Sequence, residues 1–163
     1  MIIDNKLLNT GGLPGCEFGH MIIQKNGIKC NCGSKGCFER YASMKALKNK
    51  LRERLNLDEK TRGQELLDMI RSNKLENKNY EIIENAVEEF IEDLAIGIAN
   101  IINIFRPELV GIGGSFVYFE DVLLKRLTNK LNNSEMIFAK KENIEIVTAV
   151  LGNDAGIIGS TLI

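Results

Sequence analysis

The chain has 163 residues, 44% of them hydrophobic and 6% aromatic, and its 21 basic and 22 acidic side chains leave a net charge of −1. That size and apolar content suffice for one domain with a sizeable core, while the balanced charge supplies no field that would gather nucleic acid. The N-terminus has no basic region followed by an apolar run, and no uncharged stretch reaches membrane-spanning length, so the chain reads as cytoplasmic, with neither membrane nor nucleic acid as a partner.

In chain order, residues 1–9 read as two short strands around an Asp4-Asn5 turn, and residues 10–16 as loop. A third strand is expected from about Phe18 to Gln24, with Gly19 breaking its regularity so that Glu17 and His20, three apart, reach one site. Residues 15–40 hold the only His and all four Cys. Three thiolates and a neutral imidazole are a tetrahedral Zn²⁺ donor set, which makes His20, Cys30, Cys32 and Cys37 the candidate ligands and leaves Cys16 over. Gly27, Gly33 and Gly36 permit the tight turns that a Cys-x-Cys-x4-Cys loop needs. Glu17 and Glu39 bracket the ligands. Two readings compete with the metal site. Two disulfides are disfavoured by the reducing compartment, the Cys-x-Cys spacing and the nearby His. A nucleic-acid zinc knuckle would want more than Lys29, Lys35 and Phe38 around the loop.

A helix is expected over 41–54, starting at Ala42 or Ser43, with Leu47, Leu51 and Leu55 four apart. Another spans about 62–72 around Leu66, Leu67 and Ile70, and a polar loop follows over 71–79. A long helix runs from about Tyr80 to Phe105, with one buried stripe through Ile83, Val87, Phe90, Leu94, Ile98, Ile101 and Phe105. From Leu94 onward it is apolar nearly all round, as a central helix would be. Ala95, Gly97 and Ala99 allow close packing, and Pro107 ends it.

Residues 107–115 read as a short buried strand running into Gly111, Gly113 and Gly114, followed by a helix over roughly 119–132. Strand, glycine turn and helix form half of a nucleotide-binding arrangement, because glycines let backbone amides approach a ligand. No Walker loop is present. A strand over 144–150 and a helix opened by Gly-Asn-Asp-Ala-Gly at 152–156, with Asn153 or Asp154 as N-cap, repeat the design.

The run Glu-Phe-Gly-His at 17–20, ten residues to Cys30, then Cys-Asn-Cys-Gly-Ser-Lys-Gly-Cys-Phe-Glu, resembles the signature of the ROK family of bacterial sugar kinases, glucokinase among them, and sugar-responsive transcriptional repressors. Pro-x-x-Val-x-Ile-Gly-Gly at 107–114 and the closing Gly-Asn-Asp-Ala-Gly extend the resemblance to the chain end. One departure is Cys16, where the family usually has Gly. The resemblance implies an α/β fold: the C-terminal lobe of an actin-like, ribonuclease H-like ATPase, with a mixed sheet, a long central helix and a zinc loop. It implies a sugar- and zinc-binding motif at 15–40, a helical segment at 41–105 and a nucleotide-side segment at 107–163. It further implies structural Zn²⁺ on His20, Cys30, Cys32 and Cys37, sugar contacts from Glu17, His20 and Glu39, and Gly113 and Gly114 beside the adenosine of ATP, bound with Mg²⁺. A homodimer is the implied assembly. The family's phosphate loop and catalytic Asp have no counterpart before Glu17, so the chain reads as the C-terminal part of a longer protein, inactive alone. A glucokinase-like hexose kinase is the first expectation, a sugar-sensing repressor the alternative, and a stand-alone zinc-dependent interaction module the third.

Overall fold

The computed structural model describes residues 2–3, 6–8, 11–12, 15–139, 144–151 and 154–160. Ile2–Ile3 (β1) and Lys6–Leu7 (β2) pair antiparallel, Ile2 opposite Leu7 and Ile3 opposite Lys6; the turn expected at Asp4 and Asn5 lies outside the described residues. The strand expected over 18–24 does not form. Phe18–His20 is one 3-10 turn, in which the His20 amide donates to Glu17 O at 3.0 Å and the Met21 amide to Phe18 O at 3.1 Å. Only an isolated bridge, Ile22 to Cys37, remains of the expected ladder among the described residues. Glu17 stands just before this turn as its N-cap, with backbone φ −78° and ψ 66°.

The helix expected over 41–54 is two, Glu39–Ala42 (α1) and Met44–Arg54 (α2). Ser43 divides them. Its ψ of 152° is extended, and its hydroxyl accepts from the Ala46 amide at 3.2 Å, so it caps α2. Gly63–Arg71 (α3) buries Leu66, Leu67 and Ile70.

Tyr80–Phe105 (α4) has the expected span and carries the core: Ile83, Val87, Phe90, Ile91, Leu94, Ile98 and Ile102 are buried, Phe90 completely. Its final turn departs from the expected stripe. Continued four-residue steps from Leu94 through Ile98 select Ile102, not Ile101, and carry Ile104 and Phe105 round to solvent, at 61% and 43% exposure. The helix ends at Arg106, whose φ of 48° is left-handed and whose amide donates to Ile102 O before Pro107. Asn103 ties residues 136–138 to α4 with both ends of its amide, donating to Met136 O and accepting from the Phe138 amide, each at 2.9 Å.

Leu109–Ile112 (β3) and Glu145–Thr148 (β4) pair in parallel, Leu109 opposite Glu145, with Glu120–Asn132 (α5) between them in the chain. The two strand pairs form separate sheets among the described residues. β3 was expected to be buried and is not: Leu109 is 47% exposed, and only Val110 and Ile112 pack on the core, because this two-stranded sheet is covered on one face. A 3-10 stretch, Gly114–Phe119, precedes α5, which buries Leu123, Leu127 and Leu131. Ala155–Ser160 (α6) closes the described chain; the expected cap at Asn153 lies outside the described residues.

Ion pairs flank the apolar contact of α4 with its neighbours. Arg126 of α5 donates to Glu84 at 2.6 Å and Glu88 at 2.8 Å, and Lys130 reaches Glu92 at 3.2 Å. The pairs advance together along both helices, so α4 and α5 run parallel. On the other flank Lys50 and Arg54 of α2 meet Glu89 at 3.0 and 2.7 Å.

The Arg126 guanidinium holds the Glu84 carboxyl below its ordinary value of 4.5. A carboxyl depressed in the folded state contributes stability above its ordinary range and loses it as pH falls through that range. Glu84→Gln is therefore expected to flatten the loss of stability below about pH 5, read as urea midpoints between neutral and acid pH.

Candidate metal centre

The loop from Cys30 to Cys37 folds by local hydrogen bonds. The Cys30 amide donates to Ser34 O at 2.8 Å, and the Gly33 amide to Cys30 O at 3.1 Å. Gly36 is required where it stands: its φ is +83°, and a Cβ there would lie 1.8 Å from Gln24 O. Its amide donates to Ile28 O and its carbonyl accepts from the Ile23 amide, each at 2.9 Å, which holds the loop against the segment after His20.

His20, Cys30, Cys32 and Cys37 come together, with one donor atom of each within 4.8 Å of all the others. Cys30 Sγ is 3.7 Å from His20 Nδ1, and Cys32 Sγ is 3.6 Å from Cys37 Sγ. A tetrahedron with metal–sulfur bonds of about 2.3 Å separates its corners by about 3.7 Å, so the spacing fits a four-coordinate ion. All four cysteines are free, and the 3.6 Å approach is far from the about 2.05 Å of a disulfide. Cys30 and Cys37 are buried and Cys32 is exposed. The Ser34 backbone amide draws the Cys32 thiol down to about 7, while desolvation and the neighbouring sulfurs push Cys37 up to about 12. Three thiolates this close repel one another, and a bound dication is what would let them ionise together. Three sulfurs and one imidazole, with no corner open, are a donor set that Zn²⁺ fits.

Glu39, the first residue of α1, adjoins this cluster: Cys30 Sγ donates to its Oε1 at 3.2 Å, and His20 Nδ1 lies 3.8 Å from the same oxygen. Both side chains are partly open to solvent, His20 at 37% and Glu39 at 40%. Glu17, exposed, precedes the turn that ends at His20. Gly113 and Gly114 stand apart from the cluster at the end of β3, Gly113 extended and Gly114 left-handed at φ 66°. Two recesses lie between these places. One is lined by Glu39, Arg40, Tyr41, Ser43 and Lys45, and the other by Ser43, Met44, Lys45, Gly113, Ser115 and Phe116. Ser43 and Lys45 belong to both.

The sequence gives no sign of Tyr41, whose hydroxyl accepts from the Ile28 amide at 2.6 Å and so ties the metal loop to α1. Cys16 departs from the glycine expected there, and its backbone shows why glycine would suit: its φ is 60°, in the left-handed region.

The ROK family model matches residues 1–163. The chain is 31% identical to the xylose repressor of Caldicellulosiruptor bescii, covering 98% of this chain and 41% of that protein. It is 32% identical to the glucokinase of Thermotoga maritima, covering 91% and 49%. The chain thus spans less than half the length of these two curated relatives. Among solved structures, a ROK family glucokinase from Streptomyces griseus in complex with glucose and AMPPNP superposes with a TM-score of 0.73 at 24% identity, covering 98% of this chain and 54% of that one. A ROK family transcriptional regulator, a homolog of the E. coli MLC protein, gives 0.69 at 19%, covering 89% and 37%.

Because a left-handed Cys is strained and a left-handed Gly is not, Cys16→Gly is expected to stabilise the protein by about 0.5–1 kcal/mol, measured by urea unfolding.

Proposed function

The chain belongs to the ROK family, and we propose that it is the C-terminal, sugar- and zinc-binding lobe of an actin-like ATP-dependent hexose kinase of glucokinase type. The observation that carries the sugar site, which kinase and repressor share, is the contact of Glu39 with both Cys30 and His20, which joins the four-residue cluster to a carboxylate open to solvent. Glu17, His20 and Glu39 would hold sugar hydroxyls through charge-assisted hydrogen bonds and so fix one hydroxyl for phosphoryl transfer.

His20 presents Nδ1 to the sulfurs, which leaves Nε2 for the sugar. Zn²⁺ there would orient His20 and brace the loop; with four protein ligands it offers no site for substrate. The left-handed Gly114 and extended Gly113 would admit the adenosine side of ATP, whose phosphates carry Mg²⁺. The phosphate loop and the base that takes the hydroxyl proton are assigned to the other lobe of the complete protein, and a homodimer is the assembly this reading expects.

The second reading is the sugar-sensing domain of a repressor. It is favoured by the xylose repressors of Caldicellulosiruptor bescii and Bacillus subtilis, 31% and 32% identical over nearly the whole chain. Both readings use the same sugar site. They part on turnover: with Mg-ATP and a panel of glucose, fructose, mannose, xylose and N-acetylamino sugars, the complete protein is expected to release ADP with one hexose. No turnover, with a sugar-dependent rise in melting temperature, would establish the repressor instead. His20→Ala is expected to lose its bound zinc and to weaken sugar binding by about 10- to 100-fold, read by metal analysis and sugar titration; stoichiometric zinc in that variant would refute the ligand set.

A further inference from the structure

Four of the residues assigned to metal and sugar lie on two short segments, Glu17 just before the 3-10 turn and His20 at its end, Cys37 two residues before α1 and Glu39 at its start. Each segment has one aromatic residue between its site residues. Phe18 follows Glu17, and Phe38 separates Cys37 from Glu39. Both aromatics rest on α4. The Phe18 ring meets Phe105 edge-on, with centroids 5.5 Å apart and planes at 83°. The Phe38 ring fills the space a side chain would take at Gly97: a Cβ there would lie 2.1 Å from Cε2, 2.3 Å from Cζ and 2.5 Å from Cδ2. Gly97 is buried on α4 between the buried residues Ala95 and Ile98, so the helix has little room to yield to the ring.

Gly97 and Phe105 are eight residues apart on one continuous helix, about 12 Å along its axis. The two segments also touch directly: the Phe38 amide donates to Met21 O at 2.7 Å, His20 Nδ1 lies 3.8 Å from Glu39 Oε1, and a Cβ at Gly19 would stand 3.6 Å from Glu39 Cβ. We infer that Phe18 and Phe38 are positioning residues, and that α4, through Phe105 and Gly97, sets the separation of Glu17 from Glu39 and hence the fit of the sugar between them. The inference rests on the sugar-binding reading given above. It places part of sugar selectivity on a helix that touches no sugar. Phe105 is the more telling member, since it is 43% exposed at the end of α4 and contributes little to the core.

The test measures glucose affinity, or that of whichever hexose the panel selects, with zinc content and melting temperature, on the complete protein. Phe105→Leu is expected to weaken the sugar about fivefold, the scale of one aromatic pair, while keeping one zinc per chain. Gly97→Ala, which pushes the Phe38 ring and Glu39 with it, is expected to weaken the sugar about tenfold or more. Adding Phe38→Leu, which removes the colliding ring edge, should recover most of that loss. Variants that melt earlier yet bind sugar as the wild type does would make both contacts purely structural and overturn the inference. So would a double variant no better than Gly97→Ala alone. Should Gly97→Ala fail to fold, Phe105→Leu decides by itself. A wild-type protein that binds none of the sugars would overturn the sugar reading, and this inference with it.

Discussion

The core of the described residues is organised by the burial of one face of α4. Ile83, Val87, Phe90, Leu94, Ile98 and Ile102 form a continuous apolar strip on which α1, α2 and α5 come to rest, with β4 packed in turn on α5. The hydrophobic effect has no direction of its own, so the orientation comes from the flanks. The acids Glu84, Glu88 and Glu92 face the bases of α5, and Glu89 and Asp93 face those of α2. Exposed pairs of this kind add little to stability. Their contribution is to segregate charge, with acids on α4 and bases on the facing sides of α2 and α5.

The metal loop has the opposite character. Between Cys30 and Gly36 nearly every side chain is exposed, and only the two sulfurs of Cys30 and Cys37 go inward. Such a segment has almost no apolar area with which to offset the entropy of ordering it. Hydrogen bonds through Gly36 and Tyr41, the notch at Gly97 and the converging donor atoms are what hold it in place. The site is therefore fastened to the fold at three kinds of joint, of which only one depends on chemistry peculiar to cysteine and histidine.

Much of this was legible in the sequence, for reasons that vary by element. The span of α4 followed from 26 residues of helical periodicity closed by Pro107, and the gathering of His20, Cys30, Cys32 and Cys37 from four such side chains in a short window. Less legible were features decided by tertiary context. The apolar run at 21–23 looks like a strand, but among the described residues its pairing stops at the single Ile22–Cys37 bridge, and a 3-10 turn takes over at Phe18–His20. The apolar run of β3 looks like a central strand, yet its sheet has one covered face. Ser43 was visible as a helix start, whereas the short turn of α1 before it was not, because four residues are too few to show a period. Nothing in the order of residues pairs Phe38 with Gly97 or Phe18 with Phe105; such contacts exist only once α4 is in place.

The break at Ser43 has a chemical corollary. Its oxygen already accepts from the Ala46 amide, and its side chain lines both the recess beside Glu39 and the one beside Gly113. A hydroxyl polarised in this way meets a newcomer chiefly through its proton. Beside it stands Lys45, which can only donate. Whatever occupies the junction of the two recesses is thus met by donors, and carbonyl, ether or phosphoryl oxygens are better matched to that corner of the molecule than amines.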